Sequence, residues 1–237
     1  PGSVTVPVGD DGAFSTPYEL TAGRWTLTVT ARSPEGKTAA LTRGHALQLG
    51  LGAATITRFC HGVMKMKATA VEINPSVIGV CRAFFRLPAD GARLSVLQMD
   101  ARHYVDAVGS PGSVYVLCVD LYDHEAASPV LDSAEFYRGC ARLLADEGVL
   151  TVNLFGRDAR FERSAARIAE AFADGSVLSL QPTREGNTVV AAIQRGQLPG
   201  RDVLAARAQH IETRFGLPAR KWLRMIRALP GAEVNPA

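Results

Sequence analysis

The sequence predicts an α/β fold built on a mostly parallel seven-stranded sheet, closed by a C-terminal antiparallel hairpin and preceded by a small β-meander. Three observations carry this. From residue 45 onward, short apolar runs of strand length alternate with helix-length segments. Four consecutive runs of this kind end in a glycine or an acid. Residues 1–43 have another texture, Thr/Val-rich runs broken by Gly-Asp-Asp-Gly, Ala-Gly and Pro-Glu-Gly turns.

In "GRWTLTVTARS", Trp25, Leu27, Val29 and Ala31 fall on one face and Thr26, Thr28 and Thr30 on the other, the period of a half-buried antiparallel strand. A meander of roughly 40 residues buries too little surface to stand alone, so it is expected to pack on the next domain or on a second copy. Then come strand "HALQLG", helix "ATITRFCHGVM", strand "KATAVEI" and helix "PSVIGVCRAFFRL" with Pro75 in its first turn. Strand "RLSVLQM", short helix "ARHYVDAV" and strand "SVYVLCV" follow, then helix "SAEFYRGCARLLA" with Asp132 or Ser133 as its cap. Strand "GVLTVNLFG" and helix "RFERSAARIAEAFA" lead to the pair "VLSLQP" and "NTVVAAIQ" about a Thr-Arg-Glu-Gly turn. The tail reads as two amphipathic helices joined at Gly216-Leu217-Pro218. The expected domains are 1–43, β-rich; 44–196, nucleoside-binding; and 197–237, helical.

With 237 residues, 47% of them hydrophobic, the chain can bury one substantial core. No run of about 18 residues is free of charges and breakers, so no transmembrane helix is expected. The chain begins Pro-Gly without Met, basic n-region or apolar h-region, which reads as a processing edge of a cytoplasmic protein. Cys60, Cys81, Cys118 and Cys140 lie in apolar segments without metal-ligand spacing and read as reduced core thiols. The five histidines form no ligand set, so no metal is expected; His124 is singled out only because it adjoins Asp123. A net charge of +3 without aromatic interleaving argues against nucleic-acid binding, and the basic tail reads as a solvated face. Phe84, Phe85, Phe136 and Tyr137 are expected in the core, Trp25 in the meander and Trp222 among the C-terminal helices.

In open α/β sheets ligands bind outside the carboxyl ends of the strands. The first strand ends at Gly50-Leu51-Gly52-Ala53-Ala54, a turn that permits positive φ and close backbone approach. Glu72 ends the second strand 20 residues after Gly52, the spacing at which an acid accepts both hydroxyls of a ribose. Asp100 and Ala101 end the third, where Asp100 either accepts from an adenine amine or caps the next helix. Asp120 ends the fourth, beside the first strand, with Asp123 three residues on. Gly50, Gly52, Glu72, Asp100, Ala101 and Asp120 are thus the candidate donor-binding residues, and Asp120 and Asp123 the candidate catalytic acids. Without a Walker lysine or a third glycine, the set fits an adenosyl nucleoside rather than a phosphate-bearing ligand.

Residues from about 42 to 229 resemble the bacterial spermidine synthase-like proteins, which have the class I methyltransferase fold. The stretches that carry this are "LQLGLGAATITRFC", "AVEINPSVIGVCRAFFRLP", "VDLYDHEAASPVLDSAEFYRGCARLLADEGVLTVNLFG", "GNTVVAAI" and "FGLPARKWL". The resemblance implies Gly50 and Gly52 against the aminopropyl or methionine part of the donor, Glu72 on its ribose, and Asp100 with Ala101 at its adenine. It implies Asp120 as the acid that binds the acceptor amine and takes its proton. Two positions depart from the family pattern. Its glycine loop ends in Asp-Gly, where the Asp holds the donor amine, and this chain has Ala53-Ala54; its Asp-x-x-Asp-Pro loop appears as Asp120-Leu121-Tyr122-Asp123-His124. Residues 1–43 instead resemble part of a bacterial immunoglobulin-like domain, as a fusion, rearrangement or chimera would.

The leading expectation is an aminopropyltransferase using decarboxylated S-adenosylmethionine as substrate, with no prosthetic group and a small amine as acceptor. Tyr122 and Gln98 are placed to add hydrogen bonds. An S-adenosylmethionine-dependent methyltransferase and a non-catalytic scaffold are the alternatives; a nicotinamide dehydrogenase is disfavoured by the absent third glycine. A homodimer through the meander is expected, because unpaired edge strands seek partners.

Overall fold

The computed structural model describes residues 29–32, 38–41, 44–122, 129–155, 159–184 and 186–229. Chain contacts divide it into two units, Pro1–Thr42 and Arg43–Ala237. In the first, strands β1 (Val29–Arg32) and β2 (Thr38–Leu41) pair antiparallel, Val29 opposite Leu41 and Arg32 opposite Thr38. The rest of the expected meander, Trp25 included, lies outside the described residues.

In the second unit, β3 (His45–Leu49), β4 (Lys67–Glu72), β5 (Leu94–Gln98) and β6 (Val114–Val119) run parallel, joined by β7 (Leu144–Phe155). Strands β8 (Val177–Leu180) and β9 (Asn187–Ile193) form the antiparallel pair, and β10 (Ile226–Ala228) adds to β8. The order is β10-β8-β9-β7-β6-β3-β4-β5, eight strands rather than the expected seven. The extra strand comes from the tail. There α6 (Arg201–Phe215) ends at Gly216, whose φ of 67° stops the helix, but α7 (Ala219–Leu223) gives way to β10 where a second long helix is expected. The unpaired edge of β8 supplies the ladder that local helical periodicity cannot anticipate.

From β3 the chain steps outward through β4 to β5, then returns to place β6 and β7 on the other side of β3. That reversal opens a crevice between the carboxyl ends of β3 and β6. The helical segments follow local signals. Thr55–Arg58 (α1) continues as a π-turn over Phe59–Val63, and Asn74 caps α2 (Pro75–Phe84) by accepting from Ser76 N. Asp100 caps α3 (Ala101–His103), which runs into a π-turn over Tyr104–Val108. Ser133, not Asp132, caps α4 (Ala134–Leu143) by accepting from Phe136 N, and α5 (Ala159–Ala171) follows β7.

One core cluster joins Leu47, Leu117, Leu150 and Val152 of the strands to Phe136, Tyr137 and Ile168 of the helices. A smaller one lies among Leu51, Ala54, Ala70, Cys81, Leu94 and Val96. Phe136 and Tyr137 are fully buried as expected, but Phe84 is 77% and Phe85 42% exposed, and Trp222 is 39% exposed. Residue type alone misplaces the two phenylalanines, which stand at the end of α2, past the point where Cys81 turns to the core. All four cysteines are free, and burial raises every thiol, Cys60 to about 11. No described helix is long and apolar enough to cross a membrane.

Candidate active site

Parallel register lines the candidate residues up along one row of the sheet. Glu72 pairs with Gln98 of β5, and the last rungs of β3 set Leu49 opposite Val71 and opposite Val119. One step further, Gly50 lies between Glu72 and Asp120, with Gly50 N donating to Val71 O and Asp120 N to Leu49 O. Beyond Val119 opposite Val152, the same step sets Asp120 beside Asn153 of β7.

The two glycines have different duties. Gly50, at φ 84°, faces the backbone of β6, and a Cβ there would stand 2.1 Å from the Asp120 carbonyl oxygen. Gly52, at φ 51°, faces open space, and its nearest neighbour would be Asp120 Oδ2 at 3.9 Å. Ala54 also takes the left-handed conformation, φ 58° and ψ 17°, at the head of α1. Holding a non-glycine there costs about 1 kcal/mol or more, and the buried methyl among Leu51 and Cys81 offsets it.

A buried amide secures the loop. Gln48 Nε2 donates to the carbonyls of Gly50 and Leu51 at 2.7 and 3.2 Å, while its Oε1 accepts from Thr57 N at 2.9 Å and from the Thr57 hydroxyl at 2.5 Å. From the other side, Cys81 Sγ donates to Gly52 O at 3.1 Å. Burial, and then the charge of Glu72, raises the pKa of that thiol and keeps it a donor.

Glu72 accepts one backbone N–H on each oxygen, Leu51 N on Oε2 and Asn74 N on Oε1, both at 2.9 Å. Each oxygen keeps a lone pair, so an oriented carboxylate remains able to accept two vicinal hydroxyls. Beside it an open groove of about 280 Å³ runs from Gly52 and Ala53 to Val77, Val80 and Phe85. Asp100 is exposed and its Oδ1 accepts from His103 N at 2.9 Å, so the helix-capping alternative holds while Oδ2 stays available. Ala101 beside it is buried.

Asp120 is half-buried. Its Oδ1 accepts from Asn153 Nδ2 at 3.0 Å, Asn153 Oδ1 accepts from Asn187 Nδ2 at 3.2 Å, and Asn187 Nδ2 also donates to the Tyr122 hydroxyl at 2.8 Å. Burial and then the charge of Asp120 raise the pKa of Tyr122, while hydrogen bonds from Asn187 and Asn153 pull it back. Asp123 and His124 lie outside the described residues. Among the described residues no group of three or more His, Cys, Asp or Glu could hold a metal.

The structure therefore gathers Gly50, Gly52, Glu72 and Asp120 on one row and sets Asp100 and Ala101 at the next strand end. Gln48, Asn153 and Asn187 join the site without being among the residues expected from the sequence. Two of them carried a signal, a lone amide inside the apolar strands "HALQLG" and "LTVNLFG".

Residues 51–167 match the model of the spermine/spermidine synthase domain. Over 175 residues the chain is 34% identical to a polyamine aminopropyltransferase of Chromobacterium violaceum, covering 73% of this chain and 66% of that protein. Over 186 residues it is 30% identical to one of Neisseria meningitidis, covering 78% and 70%. The chain thus spans about two thirds of the length of these curated relatives. A probable spermidine synthase from Corynebacterium glutamicum shares the fold, with a TM-score of 0.59 at 21% identity over 81% of this chain and 74% of that one. Sequence match, fold and a glycine-acid row at the sheet's reversal point agree: this chain belongs to the spermine/spermidine synthase family.

Proposed function

We propose that the chain transfers the aminopropyl group of decarboxylated S-adenosylmethionine to a small amine. The observation that carries the reading is the Asp120 carboxylate, which closes the central parallel strand with Oδ2 facing the space over Gly52. Glu72 takes the ribose hydroxyls, Gly52 leaves room for the chain that ends in the sulfonium, and Asp100 with Ala101 borders the adenine. The acceptor nitrogen forms its bond to the propyl carbon as the C–S bond breaks, and sulfur leaves with the electron pair as methylthioadenosine. Asp120 takes a proton from the attacking nitrogen to free the lone pair that forms this bond, and that proton leaves to solvent after turnover. Alignment of nucleophile and leaving group supplies most of the acceleration, and the acid's charge draws a cationic acceptor.

The test is calorimetric titration with decarboxylated S-adenosylmethionine, intact S-adenosylmethionine and methylthioadenosine, on wild type and Glu72→Ala. Micromolar binding of the decarboxylated donor, lost in E72A, is the expected result. Preference for the intact sulfonium would replace the reading with methyl transfer, a fold-compatible alternative favoured by Ala53 where the family pattern has an acid. Part of the E72A loss is structural, since the part-buried Leu51 N loses its acceptor at about 1–3 kcal/mol, whereas the exposed Asn74 N turns to water. Methylthioadenosine, which lacks the terminal amine, separates ribose recognition from amine recognition.

Ala53 offers a second check. It is exposed at the mouth of the loop, so an acid there meets solvent and ligand rather than core. Ala53→Asp is expected to tighten the decarboxylated donor about tenfold or more through a charge-assisted hydrogen bond to its amine, leaving methylthioadenosine affinity unchanged. Equal changes for both ligands would place residue 53 away from the amine.

A further inference from the structure

From the hydrogen bonds that join three strand ends, we infer that Asn153 and Asn187 act as a positioning relay that fixes the Asp120 carboxylate and, through Asn187, orients the Tyr122 hydroxyl. The kinetic part of this rests on the aminopropyl-transfer reading; the relay itself does not.

The direction of the relay is determined at Asp120. A carboxylate only accepts, so Asn153 must turn its NH₂ toward Oδ1. That leaves Asn153 Oδ1 as an acceptor, so Asn187 must present its own NH₂. The second proton of that NH₂ goes to the Tyr122 oxygen, which leaves the phenolic proton free to be donated elsewhere. Neither Asn153 nor Asn187 can be turned over without setting two acceptors face to face.

The strands explain why these residues meet. Asn153 pairs opposite Val189, and Asn187 pairs opposite Phe155, so the two amides are diagonal neighbours on one face of β7 and β9. The antiparallel hairpin at the end of the fold thus reaches back to the central strand. Its partner β8 and the outer strand β10 stiffen it from the far side.

Amides suit the task better than a cation. An arginine or lysine in place of Asn153 would hold Asp120 more tightly, but it would neutralise the charge that draws the acceptor and stabilise the carboxylate against taking a proton. An uncharged donor fixes one oxygen without a counter-charge beside the acid. With Oδ1 committed to Asn153, Oδ2 is the oxygen turned to the space over Gly52, and it is the one that meets the acceptor.

The experiment uses Asn153→Ala, Asn187→Ala and the double variant in the full chain, with two readouts. The first needs no turnover: Tyr122 titration followed by ¹³Cζ-tyrosine NMR and assigned with Tyr122→Phe. Asn187→Ala is expected to move Tyr122 to higher pH, because its phenolate loses a donor, and Asp120→Asn to move it lower. The second is kinetic: kcat falls about 10–100-fold in each single variant, with methylthioadenosine affinity unchanged, as expected when a reacting group is misplaced by about 1 Å. The double variant falls no further than the worse single one, because both break one chain. A Tyr122 titration indifferent to Asn187 overturns the relay, whether or not the wild type turns over. Additive kinetic losses, or a rise in KM alone, overturn the positioning role. A wild type without aminopropyl transfer but with the Tyr122 shifts overturns the functional reading and leaves the relay standing.

Discussion

Asp120→Asn is expected to lower kcat for aminopropyl transfer by about 10²–10⁴-fold, the range typical of losing a positioned general base. The substitution is nearly isosteric, and the Asn side-chain oxygen can keep the bond from Asn153 Nδ2, so the fold and the loop over Gly52 stay in place. What changes is the group turned to the acceptor. An NH₂ stands where Oδ2 stood, with no lone pair for a proton and no charge to attract an ammonium. Single-turnover measurement with saturating donor, alongside methylthioadenosine titration, separates the outcomes. Lost rate with retained nucleoside binding supports Asp120 as the proton acceptor, and full rate in D120N would move that task to another group.

The largest effect on stability is expected at Gly50. An alanine Cβ there meets the Asp120 carbonyl oxygen at 2.1 Å, in a contact between two backbones of adjacent parallel strands. No side chain can move aside to relieve it, and φ of 84° adds conformational strain of about 1–3 kcal/mol. With overpacking of about 1–3 kcal/mol on top, Gly50→Ala is expected to lose roughly 2–6 kcal/mol. For a chain of this size that lowers Tm by at least about 4 °C, readable by calorimetry or circular dichroism. Gly52→Ala is the contrast. It pays the conformational strain alone, yet its methyl would lie near Asp120 Oδ2 in the space assigned to the donor. A larger stability loss in G52A than in G50A would reverse the division of duties between the two glycines.

Much of this was legible without coordinates. Alternating apolar strands and helices from His45 onward implied the parallel sheet, and Pro75 marked its helix start correctly. The spacing between the glycine turn and Glu72 implied their meeting, and parallel register delivers it: equal steps along neighbouring strands keep their ends level. Asp100 could be read two ways, and only the bond from His103 N decides that it caps a helix.

The parts that were not legible are long-range. Asn187 looks like an ordinary strand residue until the 7-residue pairing of β7 with β9 brings it to Asn153, 34 positions away. Arg224–Ala228 reads as helix until the free edge of β8 offers Ile226–Ala228 a ladder. Phe84 carries the same apolar weight as Phe136, yet one is exposed and the other sealed, according to which helix face meets the sheet.

By itself, then, the sequence determined the order and type of the central elements and the row of glycine and acids at their ends, because periodicity, turn chemistry and short spacing are local properties. Tertiary structure alone decided which glycine abuts β6 and which faces the crevice, and which amides hold Asp120. Those depend on backbone approaches and donor directions between strands distant in the chain, where a shift of one rung would exchange every partner.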